Sequence, residues 1–182
     1  MRICIKDTVS TGDDCGAQLI LIENDQIAKI YDPLYYACYH ADAPELKTDV
    51  TAQADCDYAI ESAAYTELEH STVLGGIAPD YFGSWTMELT THIGDELVTR
   101  VVRMILMEYV TGVLMLDLDP ENLSREEREN IMRRLIEADY DLKYAGVRHD
   151  DVSPRNVIIS ATTALSNPDL RLTLVDYGCS IV

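Results

Sequence analysis

Two stretches in the last third of the chain hold residues whose types and spacing suit chemistry. The first is His149-Asp150-Asp151-Val152-Ser153-Pro154-Arg155-Asn156, an H-x-D-x-x-x-x-N pattern. The second is Asp176-Tyr177-Gly178, at the end of the apolar run that starts at Leu170. Acids on either side of one hairpin, with an amide between them, can hold a divalent cation through hard oxygen donors. The first pattern alone is weak. Its three fixed residues recur by chance in roughly one chain in a hundred of this length, and a polar surface loop would read the same way. Two upstream residues add opposite charges. Lys29 stands in Ile27-Ala28-Lys29-Ile30, a mid-strand position from which a lysine can serve a site or guard an exposed edge. Glu61 stands in Glu61-Ser62-Ala63-Ala64-Tyr65, on a helix whose polar face could equally be solvated.

These residues need elements to position them. Ala17 to Ile22 and Gln26 to Tyr31 read as strands joined by the turn-forming Glu23-Asn24-Asp25, and Asp32-Pro33 closes the hairpin. Residues 34–54 show no period and read as an irregular insertion containing Tyr35, Tyr36 and Tyr39. A helix is predicted over Asp55 to Glu69, with Ile60, Ala64 and Leu68 as its apolar stripe. Gly75-Gly76 and Pro79 interrupt the chain. Trp85 to Leu89 and Arg100 to Val110 then read as strands, the second apolar enough to be central. The clearest element is a helix over Arg125 to Tyr144. Ser124-Arg125-Glu126-Glu127 is a capping box, Ile131, Leu135, Ala138, Leu142 and Ala145 form one face, and Gly146 is placed to cap the end. Val157-Ile158-Ile159 and Leu170 to Val175 are the last two strands, and Leu172 to Val175 are expected to be buried.

The order is strand lysine, helix glutamate, apolar strand, long helix, H-x-D-x-x-x-x-N, strand, D-Y-G. In that order the chain resembles the protein-kinase superfamily, over about residues 5 to 180. Ala28-Lys29 is similar to the lysine motif of that superfamily's third strand, and Glu61 to its helical ion-pair partner. His149, Asp151 and Asn156 are similar to its catalytic loop, and Asp176-Tyr177-Gly178 to its D-F-G. Met107-Glu108-Tyr109-Val110-Thr111-Gly112 is similar to the hinge between lobes. Pro154, and the lack of a lysine after Asp151, bring the wording nearer to atypical fungal kinase-like proteins and to small-molecule kinases of the aminoglycoside and choline type.

The resemblance implies an α+β, protein-kinase-like fold. Residues 1–110 would form an antiparallel sheet with one helix, with the hinge at about 108–112, and residues 111–182 a reduced, mainly helical lobe. It implies ATP and Mg²⁺ as ligands, and phosphoryl transfer to an acceptor that could be a protein or a small molecule. Lys29 would hold the α- and β-phosphates, steadied by Glu61. Asn156 and Asp176 would bind the metal, and Asp151 would take the proton of the attacking hydroxyl. Arg155 would supply positive charge near the γ-phosphate, since Ser153 stands where many of these enzymes have lysine. Backbone groups at Glu108 and Val110 would bond adenine. Gly12 and Gly16, in Thr11-Gly12-Asp13-Asp14-Cys15-Gly16, would form the phosphate-covering turn. A carboxylate of Asp13 or Asp14 turned inward would cost on the order of a few kcal/mol against a phosphate at ~4 Å, so both are expected to face water. A pseudokinase-type module that binds nucleotide or protein without turnover is the second reading, favoured by this acidic turn and the short C-terminal lobe.

With 32 Asp+Glu against 14 Lys+Arg, the net charge of −18 repels nucleic-acid phosphates and anionic membranes, so neither is an expected partner. The five cysteines form no C-x-x-C pair, which argues against a zinc site or a disulfide framework and for a cytoplasmic or nuclear setting. Asp150 stands where many kinases carry arginine, so control by activation-loop phosphorylation is not expected. The chain stops four residues after Gly178. Residues Cys179 to Val182 therefore have no obvious partner, and Met132, Tyr140, Ile181 and Val182 are expected to form an exposed apolar patch for a protein partner or a homodimer.

Overall fold

The computed structural model describes residues 3–13, 15–40, 43–71 and 76–182. The chain divides into two units: Met1–Ser62 with Phe82–Tyr109, and Ala63–Tyr81 with Val110–Val182. The second boundary falls inside the stretch read as a hinge, and residues 63–81 count with the C-terminal rather than the N-terminal part.

In the first unit, β1 (Ile5–Ser10), β2 (Gln18–Ile22) and β3 (Gln26–Tyr31) run antiparallel. The turn between β2 and β3 uses Asn24 and Asp25 in left-handed backbone, which these two residue types accept at low cost. After a short 3-10 turn at Pro33–Tyr35, β4 (Tyr39–His40) pairs with β5 (Ala43–Lys47). Helix α1 covers Val50–Glu69. Strands β6 (Tyr81–Ile93) and β7 (Glu96–Glu108) follow and complete a five-stranded sheet in the order β1-β2-β3-β7-β6. Strand β3 is central, with Lys29 opposite Leu19 on β2 and Ile105 on β7.

Because side chains alternate along a strand, β3 serves two faces. Ala28 packs with Ile22, Met104 and Leu106, against Ile3, Ile20, Ile30, Trp85 and Met87. Lys29 and Tyr31 take the opposite face, where α1 brings Glu61.

Two expectations are corrected here. Residues 34–54 are not irregular, since they contain the 3-10 turn, a hairpin and the first turn of α1. The helix starts at Val50, not Asp55, because the Asp49 carboxylate accepts from the amides of Thr51 and Ala52 at 3.1 and 3.0 Å and caps it there. The buried face also differs. Ile60 is only half-buried, while Ala54, Glu61, Ala64, Tyr65 and Leu68 are buried, so an acid sits within the apolar stripe.

In the second unit, β8 (Val113–Leu114) follows Gly112, where any Cβ would collide with the backbone oxygen of Ile159. Helix α2 covers Arg125–Tyr144, and β9 (Val157–Ile159) and β10 (Leu172–Leu174) join β8 in an antiparallel sheet ordered β10-β9-β8. Strands β9 and β10 fall within the runs read as strands, and β8 adds a third that the sequence did not mark. All three β10 residues are buried, as their aliphatic run implied. Thr173 donates its hydroxyl to Gly76 O, and the Leu174 amide donates to Ile77 O.

Ile131, Ala138 and Leu142 form the buried face of α2, together with Asn130, whose amide donates to the carbonyls of Leu165 and Asn167 and ties down the 160–169 loop. Gly146, at φ +92°, follows the helix in the left-handed region that favours glycine. Residues 179–182 are not without a partner, because Arg148 and Ile181 exchange two backbone hydrogen bonds of 2.9 Å. Met132, Tyr140, Ile181 and Val182 are each exposed, as expected. No helix among the described residues is long and apolar enough to cross a membrane.

The α2 capping box is complete: the Glu127 amide donates to Ser124 Oγ and the Ser124 amide to Glu127 Oε2. The Ser124 backbone and hydroxyl hold the Glu127 carboxyl below its ordinary 4.5. A carboxyl depressed in the folded state stabilises fully above its unfolded pKa and loses that contribution as pH falls through the folded value. Ser124→Ala is therefore expected to lower stability by about 1 kcal/mol at pH 7 and by less at pH 3, measured by urea unfolding.

Candidate functional site

In the first unit, Lys29 Nζ lies 2.6 Å from Glu61 Oε2, with the two side chains 9% and 1% exposed. The ion pair expected from the strand–helix order therefore forms inside the protein. Tyr31 OH donates to the same oxygen at 2.6 Å, and Tyr31 meets Tyr58 of α1 edge-on. The other oxygen, Glu61 Oε1, is buried and accepts no hydrogen bond among the described residues. Burying two charges costs several kcal/mol, and a pair recovers this only with good geometry and added hydrogen bonds. Tyr31 supplies one such bond. The result is an ammonium group fixed in place, with its counter-charge anchored on a helix.

The glycine turn is closed by a residue that sequence reasoning missed. Gln18, 5% exposed, accepts from the Gly12 amide at 2.8 Å and donates to the Gly12 and Gly16 carbonyls, both at 3.1 Å. The Gly16 amide donates to Tyr35 O. Both glycines have positive φ, +154° and +70°. Neither amide is free in this geometry, and Gln18 would have to let go of Gly12 for its N–H to meet a phosphate. Asp13 faces solvent as expected, while Asp14 lies outside the described residues. A cavity of about 370 Å³, lined by Gly12, Gln18, Ile20, Ile30, Asp32 and Arg100 among others, opens on the sheet face away from Lys29. It is therefore not the lysine's site. Glu108 ends β7 opposite Gln26, the Tyr109 amide donates to Asp25 O, and Val110 opens the second unit.

In the second unit, Asp151 Oδ2 accepts from Arg155 Nη2 at 2.6 Å and from Asn156 Nδ2 at 3.0 Å. Asn156 Nδ2 also donates to the Asp151 carbonyl, which fixes the amide's orientation. Asn156 Oδ1 and Asp151 Oδ1 accept no hydrogen bond among the described residues. Arg155 thus lies on the candidate base itself. The hairpin register sets Val175 across from Asn156, with a Val175 N to Asn156 O hydrogen bond of 2.9 Å, so Asn156 and Asp176 share one end of β9 and β10. Asp150 and Asp176 both have positive φ, +57° and +66°. Both lie in the left-handed region, which aspartate enters more readily than most residues, one beside Asp151 and one a candidate ligand. Arg148 holds Asp150 through two hydrogen bonds and keeps its carboxyl below the ordinary range.

His149 is fully buried, donating from Nε2 to Val175 O and accepting the Asp151 amide at Nδ1. Its ring lies 4.7 Å from that of Tyr177. Tyr177 lies 5.2 Å from Tyr65, which stacks on Tyr81 at 5.5 Å. This aromatic column ties the segments on both sides of the candidate carboxylates to Tyr65 and Tyr81, in the 63–81 segment of the same unit. No spacing rule marked Tyr65 or Tyr81 beforehand. Tyr31 was legible in part, because it lies two residues from Lys29 and so on the same strand face.

Neither comparison with protein-family models nor comparison with curated proteins finds a match.

Proposed function

We propose that the chain is a Mg·ATP-dependent phosphotransferase of protein-kinase-like type. The observation that carries this reading is the buried Lys29–Glu61 pair, which holds a cation in place before any phosphate arrives. Phosphoryl transfer asks a protein mainly to position groups and neutralise charge. Lys29 would contact phosphate oxygens, with Glu61 and Tyr31 fixing its direction. Asp151 Oδ1, left open while Oδ2 is pinned, would orient the acceptor hydroxyl and take its proton. Arg155 can exchange its hold on Asp151 for a transferring phosphate.

The donor set fits magnesium. Asn156 Oδ1 is an unused hard oxygen, Asp176 adds a carboxylate at the same hairpin end, and Mg²⁺ favours one or two carboxylates beside phosphates. When bound, the ion would neutralise charge on the phosphate oxygens.

A second reading, binding without turnover, is favoured by the closed glycine turn and by Arg155 on Asp151. Titration calorimetry with Mg·ATP, combined with radiolabelled-ATP turnover, separates the two. Binding that Asp176→Asn weakens by at least roughly tenfold, together with turnover, is the expected result. Binding without turnover leaves the second reading, and equal binding without divalent ion and in Asp176→Asn would remove the metal assignment.

A further inference from the structure

The outer face of α2 has no role in the reading above. Met132, Ile136, Tyr140 and Tyr144 recur every four residues and are 46%, 65%, 67% and 76% exposed. Residues at this spacing form one continuous ridge, here about 18 Å long at 1.5 Å per residue, of the kind that packs into a groove of another helix. A run of large apolar side chains in water on one helix face marks an interaction surface more often than chance.

The charges around the ridge indicate what covers it. Arg125–Glu129, Arg133–Glu137 and Lys143–Asp139 are ion pairs within the helix, of 2.6, 2.8 and 2.6 Å. The face is therefore locally neutral on a chain of net charge −18. A basic protein drawn by the overall charge would find no excess of acid here. A second copy would find its own complement. Reversing the helix about Ile136 sets Ile136 against Ile136. It also sets Glu129 level with Lys143 and, to within one residue, Arg133 level with Tyr140. Glu129 and Lys143 thus face opposite charges and Arg133 an aromatic ring, and a guanidinium over an aromatic ring is attractive. In a two-fold contact the same patch serves both subunits, so this self-complementarity is the feature that counts.

We propose that α2 forms a homodimer contact in which two copies pack antiparallel, centred on Ile136, with Glu129 of each copy paired to Lys143 of the other. The contact concerns the outer face of α2 alone and does not depend on the phosphotransferase reading. The repulsion between two acidic chains is screened beyond about 8 Å at physiological salt, while contacts within the face are short-range.

Sedimentation equilibrium of the full chain at about 1–100 µM and about 0.15 M salt tests it. The wild type should be dimeric at the upper concentrations. Ile136→Asp, at an exposed position that leaves the core untouched, should weaken association at least tenfold while keeping the wild-type circular dichroism and melting curve. Glu129→Lys and Lys143→Glu should each weaken it about threefold or more, and the two together should restore it. A wild type that is monomeric throughout, which would leave the ridge to a different partner, overturns the proposal. So does dimerisation unchanged by Ile136→Asp. A charge-swapped double variant no better than the single ones overturns the antiparallel register, and should Ile136→Asp fail to fold, the charge swap decides.

Discussion

Lys29→Met is expected to abolish measurable Mg·ATP binding and to lower stability by about 3 kcal/mol, because it leaves the Glu61 carboxylate buried without its cation. Glu61 is 1% exposed and has an orphan oxygen already, so it has little water to fall back on. Tyr31 still donates one hydrogen bond, which places the loss at the lower end of what breaking a buried pair costs. A double variant separates structure from function. Lys29→Met with Glu61→Leu removes both charges and fills similar volume, so stability should return to within about 1 kcal/mol of wild type. Nucleotide binding should not return, because the cation is gone. Urea unfolding and calorimetry on the three proteins read the two effects apart. Recovery of binding in the double variant would show that Lys29 serves the fold only.

The helix before the H-x-D-x-x-x-x-N loop was the most legible element. Its capping box, apolar period and terminal glycine agree at each level, and the structure returns the same boundaries. The β2–β3 hairpin was legible for a similar reason, since Asn24 and Asp25 accept the left-handed backbone the turn needs. The start of α1 was not. Its cap, Asp49, follows a hairpin whose short strands carry Pro44, Glu45 and Lys47 and give no alternation to read. The Lys29–Glu61 pair could be inferred only from the order of elements, because neither residue alone says which face it takes. Gln18 gave no warning, because a glutamine beside an apolar run looks like a solvated strand end until its side chain is seen closing the glycine turn. The backbone bridge from Arg148 to Ile181 left no trace in side-chain pattern at all, as backbone pairing of single residues carries no period.

Asp151→Asn is expected to reduce phosphoryl transfer by about 10² to 10⁴-fold, the usual range for losing a positioned general base, with nucleotide affinity and melting temperature near wild type. The side chain is 27% exposed, and its partners Arg155 and Asn156 can both bond an amide oxygen, so the loop should hold its shape. Arg155→Ala makes the informative contrast. In the structure the guanidinium shares Asp151 Oδ2 with Asn156, so removing it leaves that oxygen to Asn156 alone and takes away the adjacent positive charge. If Arg155 moves to the phosphate during transfer, its loss should lower the maximal rate with little change in nucleotide affinity. If it only blocks Asp151, its loss should raise the rate. Single-turnover transfer from labelled ATP, measured on wild type and both variants, distinguishes these outcomes. Wild-type transfer that survives Asp151→Asn undiminished would remove Asp151 from the reaction, and with it the catalytic reading of the whole loop.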